Sequence, residues 1–113
     1  MRRGEIWTVA DALDYAGKPR PSLILQDDVF DIEDSVTVCG FTSSLTDANL
    51  IRIRVEPSSQ NGLFQISDIM ADKITTVPRE KLGRQIGTLE AKAMDKVSAA
   101  LLLFLGLSRA QAV

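Results

Sequence analysis

In the first two-thirds of this sequence the apolar residues fall at alternate positions in short runs, and a turn-forming cluster closes most of the runs. A two-residue period is the repeat of a half-buried β-strand and does not build the buried face of a helix. Glu5-Ile6-Trp7-Thr8-Val9, Val36-Thr37-Val38-Cys39-Gly40-Phe41-Thr42 and Ile51-Arg52-Ile53-Arg54-Val55 all show it, the last with both arginines on one face. Ser22-Leu23-Ile24-Leu25-Gln26 is nearly all apolar, as in a strand buried on both sides. Residues 63–66 and 69–77 supply the last strands. Gly17-Lys18-Pro19-Arg20-Pro21 interrupts the pattern, its two prolines keeping the backbone around Arg20 extended. Asn61-Gly62 demands a left-handed turn.

The texture changes after Pro78. Pro78-Arg79-Glu80-Lys81-Leu82 reads as a single helical turn, and Gly83 and Gly87 bracket Arg84-Gln85-Ile86. Thr88 is placed to cap a helix over 89–105, with Glu90 in its first turn and Gly106 as its stop. Met94, Val97, Leu101, Phe104 and Leu105 fall at three- and four-residue steps along one face. Leu102 and Leu103 widen that stripe near its end, for deeper burial or for a subunit or partner. Short strands followed by one helix define a mainly β fold with a C-terminal helix, a small, strongly bent β-barrel against which the helix packs. The 113 residues suit one domain and are too few for two. The domain is expected to span 1–107, with 108–113 a flexible tail.

Composition narrows the chemistry. The chain has one Cys and no His, which excludes a zinc finger, an intramolecular disulfide, a Cys/His dyad and every imidazole acid/base pair. Cys39 lies among Val36, Val38 and Phe41 and reads as a small core residue rather than a reactive thiol. A net charge of −2 argues against a generally basic nucleic-acid binder but leaves room for a local basic patch. No apolar run follows the basic start, and none approaches the roughly 20 residues that cross a bilayer, so a cytoplasmic location without membrane contact is expected. Asp27-Asp28-Val29-Phe30-Asp31-Ile32-Glu33-Asp34 lacks the glycine of a calcium loop and reads as a solvated acidic loop that RNA would avoid. No metal site and no cofactor are expected.

Three segments carry functional groups. Arg20 stands between prolines at the mouth of a buried strand, where its planar fork suits a phosphate or carboxylate or is simply solvated. Thr42 and Ser43 end a strand, where their hydroxyls can donate to a phosphate or close a local turn. Asp72-Lys73-Ile74-Thr75-Thr76 offers a carboxylate, an amine and hydroxyls, or an ordinary salt bridge.

Taken in order, these segments resemble one family. Arg3-Gly4-Glu5-Ile6-Trp7, Arg20-Pro21-Ser22-Leu23-Ile24-Leu25, Phe41-Thr42-Ser43 and Asp72-Lys73-Ile74-Thr75-Thr76-Val77 are similar to the successive motifs of the MazF/PemK (Kid) toxin endoribonucleases. The Leu82…Ile86-Gly87…Leu89 spacing and the ending Leu105-Gly106-Leu107 follow the same pattern, so the resemblance covers about Met1 to Leu107. It implies the SH3-like barrel of CcdB/MazF-type plasmid maintenance toxins, a two-fold homodimer and metal-independent, sequence-specific cleavage of single-stranded RNA, usually mRNA. It also implies a MazE-like cognate antitoxin, with DNA met only indirectly through the antitoxin complex. The catalytic arginine and threonine match Arg20 and Thr42, and Asp72 matches an aspartate of substrate binding or catalysis. Where many relatives carry Gly-x-Glu-Gln, this chain reads Ala12-Leu13-Asp14-Tyr15-Ala16-Gly17-Lys18, with Tyr15 at the glutamate's place and Asp14 next to it. An arginine two positions before the aspartate in some relatives is Met70 here, and the usual glutamine after it is Lys73.

Without imidazoles, cleavage by attack of the ribose 2′-oxygen rests on Arg20 and Thr42 as stabilisers of phosphorane charge. Asp14 or Asp72 is the candidate general base or a substrate-binding group. Tyr15, Lys18, Ser43 and Lys73 are the expected RNA contacts, Tyr15 by stacking on a base. Arg52 and Arg54 form a separate basic face for backbone phosphate or acidic antitoxin side chains. Sequence preference is expected to lie in mobile loops around Tyr15, 46–50 and 58–63. Two other readings stand: a CcdB-like gyrase-binding toxin without RNase activity, which the absence of a Trp-Gly-Ile ending disfavours, and a catalytically inactive SH3-like interaction module.

Overall fold

Alternating burial along the chain builds a single antiparallel sheet. The computed structural model describes residues 1–10, 19–32 and 34–108. Six strands, β1 (Glu5–Val9), β2 (Arg20–Ile24), β3 (Ser35–Thr42), β4 (Arg52–Val55), β5 (Ser67–Pro78) and β6 (Leu82–Thr88), lie in the order β4-β5-β3-β2-β1-β6. One helix, α1 (Ala91–Phe104), follows and packs against β4 and β5. Apolar residues on one face, including Ile6, Leu23, Cys39, Phe41, Ile53 and Ile69, meet Val97 and Ala100 of the helix in the main core. On the other face Ile24, Val36 and Val38 gather with Trp7, Val77 and Leu82. Leu23 and Ile24 are both fully buried, one in each cluster, as the apolar run of β2 requires.

The expected barrel is an open sheet: among the described residues β4 pairs only with β5 and β6 only with β1. Residues 63–66 are not a strand. The Leu63 amide donates to the Asn61 side chain (3.0 Å) instead of to a ladder, and only Leu63 of the four is buried. Residues 82–88, in contrast, form β6, an edge strand whose glycines and polar residues hide its period. Gly87 is required because a Cβ there would overlap the Asn61 backbone, and Gly62 (φ +70°) because one there would overlap the Ile86 carbonyl. Pro78 belongs to β5, and the single turn after it is the short 3-10 helix Arg79–Lys81.

The helix begins later than expected. Thr88 ends β6, buried Leu89 donates its amide to the Gly4 carbonyl (2.8 Å), and Glu90 is the cap residue. At the other end Phe104 and Leu105 are exposed with Leu102, Leu103 and Leu107, so the apolar stripe is buried only over its first half. The acidic loop is solvated, as expected, and is also held in place. Asp27 caps the short 3-10 helix Asp28–Phe30, Asp28 accepts the Arg3 amide (2.7 Å), and Asp31 pairs with Arg79 (3.0 Å). No helix among the described residues is long and apolar enough to cross a membrane. Of the expected tail, 109–113 lie outside the described residues.

Candidate active site

Strands β2, β3 and β5 together shape the cleft in which most of the candidate residues meet. Ser22 pairs with Gly40 across the β2–β3 ladder, and continuing that antiparallel register two residues outward brings Arg20 abreast of Thr42. The β3–β5 ladder is irregular at the same level: Phe41 pairs with Ile69 and Cys39 with Ile74, so Gly40 alone faces Met70, Ala71, Asp72 and Lys73. Such a bulge re-aims the side chains it carries. It turns Asp72 and Lys73 toward Arg20, Thr42 and Ser43, and all five line one open cavity of about 600 Å³ floored by Val9, Val38 and Val77. Gly40 leaves room for this, since a Cβ there would lie 3.1 Å from Met70 Cε.

Arg20, Ser43 and Lys73 are exposed, while Thr42 and Asp72 are half-buried. Thr42 Oγ1 accepts the Ser44 amide (3.1 Å), closing the local turn while leaving its own O–H to donate. Asp72 is gripped from behind: Arg52 Nε and Nη2 donate to Oδ1 (2.8 Å) and Oδ2 (3.3 Å). That guanidinium holds the Asp72 carboxyl below the usual carboxylate range, outweighing the effect of burial. Asp72 is therefore a fixed anion and a weak base. No described residue of the acidic loop lines the cleft.

Arg52 and Arg54 do not form the free basic face expected of them. Arg54 pairs with buried Asp68 (3.0 Å) and donates to the Thr46 carbonyl (2.7 Å), and Asp68 also accepts the Thr46 amide (3.0 Å). Opposite charges on neighbouring strands, Arg-x-Arg on β4 and Asp-x-x-x-Asp on β5, carried the signal for this ladder, but only the strand register shows that they meet. The loop over 58–63 is likewise anchored. Asn61, fully buried, accepts the Ser58 and Leu63 amides and donates to the Glu56 carbonyl and the Glu90 carboxylate. Cys39 is buried in the core, and burial pushes its thiol up to about 12, which leaves no thiolate at neutral pH. Asp14, Tyr15 and Lys18 lie outside the described residues.

A small antiparallel sheet with one C-terminal helix, and a cleft of arginine, lysine and hydroxyls at its strand ends, define a class that can be compared directly. Residues 2–105 match the profile of the PemK-like, MazF-like toxins of type II toxin-antitoxin systems. A probable endoribonuclease MazF of Mycolicibacterium smegmatis is 53% identical over 108 residues, 96% of this chain and 99% of that protein. Among solved structures, a mycobacterial endoribonuclease in complex with its cognate antitoxin superposes with a TM-score of 0.78 at 24% identity, covering 95% of this chain and 96% of that one. The Mycobacterium tuberculosis toxin MazF-mt6 gives a TM-score of 0.75 at 31% identity over 89% of this chain and 96% of that one. The chain belongs to the PemK-like, MazF-like toxins of type II toxin-antitoxin systems.

Proposed function

We propose that the chain is the toxin of its pair and an endoribonuclease that cleaves single-stranded RNA at short sequence motifs, by attack of the 2′-oxygen on the adjacent phosphorus. The observation that carries this reading is the shared cleft of Arg20 and Thr42, two residues 22 apart in sequence. In it the Arg20 guanidinium binds the scissile phosphate and the Thr42 hydroxyl donates to the same group, so that both stabilise the charge that develops on the phosphorane. Ser43 and Lys73 hold the flanking backbone, with Tyr15 and Lys18 adding contacts from the segment before Arg20. The ion pair with Arg52 lowers the basicity of Asp72, which favours Asp14 as the carboxylate that takes the 2′-proton. As the P–O2′ bond forms the P–O5′ bond breaks, leaving a 2′,3′-cyclic phosphate and a 5′-oxygen that takes its proton from solvent. All of these groups come from the polypeptide, so cleavage proceeds without a metal ion.

The mycobacterial endoribonuclease solved with its cognate antitoxin supports an antitoxin partner here as well. A MazE-like antitoxin laid over the cleft blocks RNA, and DNA is met only through that complex. The exposed leucines and Phe104 at the end of α1 fit a second copy in a homodimer. Action on mRNA sets the site of activity in the cytoplasm.

The test is cleavage of mixed-sequence single-stranded RNA in excess EDTA. Wild type cuts, and Arg20→Ala and Thr42→Val each lose about 10²–10³ in rate, the usual effect of removing one preorganised donor. Cleavage by Arg20→Ala at the wild-type rate would overturn the assignment, and absence of cleavage by wild type would overturn the function.

A further inference from the structure

The grip on Asp72 comes from a residue outside the cleft. Arg52 lies in register opposite Met70 and reaches diagonally along β5 to Asp72, with 17% and 15% of the two side chains exposed. Its own surroundings are a different groove, between β4 and α1, which it lines with Lys96. A two-pronged guanidinium fixes both the position and the plane of a carboxylate, whereas an ammonium supplies only a point charge. Each Asp72 oxygen keeps a further lone-pair direction for a second donor. The pairing also offsets a negative charge that would otherwise repel an incoming phosphodiester.

The neighbouring rung provides a contrast. Arg54 grips Asp68 with similar geometry, at 3.0 and 3.3 Å, but Asp68 is buried and lines no part of the cleft. One pair anchors the loop at Thr46; the other ends at the cleft wall.

Resting on the ribonuclease reading, we propose that Arg52 is a positioning residue for RNA cleavage: it holds Asp72 as a fixed, charge-compensated anion that accepts N–H donors from an RNA base. Donors of this kind are the amino and imino groups on the base edges exposed by single-stranded RNA. The charged and titratable groups around Asp72 are Arg52 on β4, Lys73 beside it on β5, Cys39 on β3 and Arg20 on β2, with Asp68 and Lys96 near Arg52. Asp68 and Cys39, the other carboxyl and thiol in this set, are buried and line no part of the cleft.

The experiment measures kcat and KM for RNA cleavage from pH 3 to 8 for wild type, R52M, R52K and R54M, with folding checked by circular dichroism at each pH and Arg20→Ala as the reference for loss of activity. R52M is expected to lose about tenfold in kcat/KM at pH 7, mainly through KM, as for the loss of a charged hydrogen-bonding group. Its acid limb moves up in pH, because Asp72 without its partner takes up a proton where wild type stays ionised. R52K recovers part of the KM and restores the acid limb, and it carries the test if R52M fails to fold. R54M lowers the thermal midpoint and keeps the wild-type pH profile. A folded R52M with wild-type KM and acid limb overturns the positioning role while leaving the ribonuclease reading intact, as does an R54M that reproduces the R52M profile. An inactive wild type overturns both.

Discussion

Asp68, Asp72 and Glu90 are three carboxylates whose partners all come from distant segments. Arg54 holds Asp68, Arg52 holds Asp72, and the Ser58 hydroxyl (2.5 Å) leads the hydrogen bonds to Glu90. In each case the partner keeps the folded-state pKa below the ordinary value, 3.8 for the aspartates and 4.5 for the glutamate. A lowered carboxylate stabilises the fold fully above its ordinary pKa and loses that contribution as pH falls through the folded value. The midpoint of urea unfolding should therefore be flat from pH 7 to about 5 and fall below about 4.5, beginning with Glu90 and continuing with the aspartates. A midpoint that rose on acidification would contradict these pairings. The sequence marked Asp72 as chemically important and its neighbour Lys73 as an RNA contact, and it gave Asn61 and Glu90 only a turn and a helix start; the partners that make Asp68, Asn61 and Glu90 important lie as far as 14, 29 and 32 residues away.

Elements whose period matched their burial were legible. β1, β3 and β4 were each read within about two residues at either end, as alternation on a half-buried strand permits, and β2 equally well from its apolar run. β6 was not, since it is a polar edge strand, and α1 begins two residues later than expected because Leu89 continues the backbone pairing of the sheet before the helix starts. What joins these elements is Asn61. Its side chain ties the 58–62 turn to the cap of α1, and its backbone lies close against Gly87 of β6. Asn61→Ala leaves the Ser58 and Leu63 amides and one Glu90 oxygen without a partner and should lower stability by about 2–3 kcal/mol, read from denaturant unfolding. Ile53→Val, which removes one methylene from the core, is the milder reference, expected at about 0.5–1.5 kcal/mol.

For the molecule as a whole, the decisive surface is the one α1 leaves uncovered. Leu102, Leu103, Phe104, Leu105 and Leu107 stand 41–56% exposed in one stretch, an apolar concentration that a monomer has reason to bury. With a second copy as the proposed occupant, sedimentation should give twice the 12.4 kDa of one chain, and Leu103→Glu with Leu105→Glu should return the particle to a single chain with its circular dichroism unchanged. A wild-type particle of one chain at micromolar concentration would remove the homodimer from the proposal. The widened stripe near the end of the helix was visible in the sequence; that its second half stays outside the core is visible only once the helix is seated on β4 and β5.

By itself the sequence determined the class of fold, three strands with a clear two-residue period and the apolar run of β2, the burial of Cys39 and the ordered motifs that hold Arg20, Thr42 and Asp72. These follow from local periodicity and residue chemistry, which each short segment carries alone. The tertiary structure alone decided that the sheet stays open, that Arg52 and Arg54 are consumed by carboxylates rather than offered to a ligand, and that a bulge opposite Gly40 brings Asp72 to the same cleft as Arg20 and Thr42. Those outcomes depend on strand register and on which strands become neighbours. Both are set by the packing of the whole chain, and no segment encodes them by its own period.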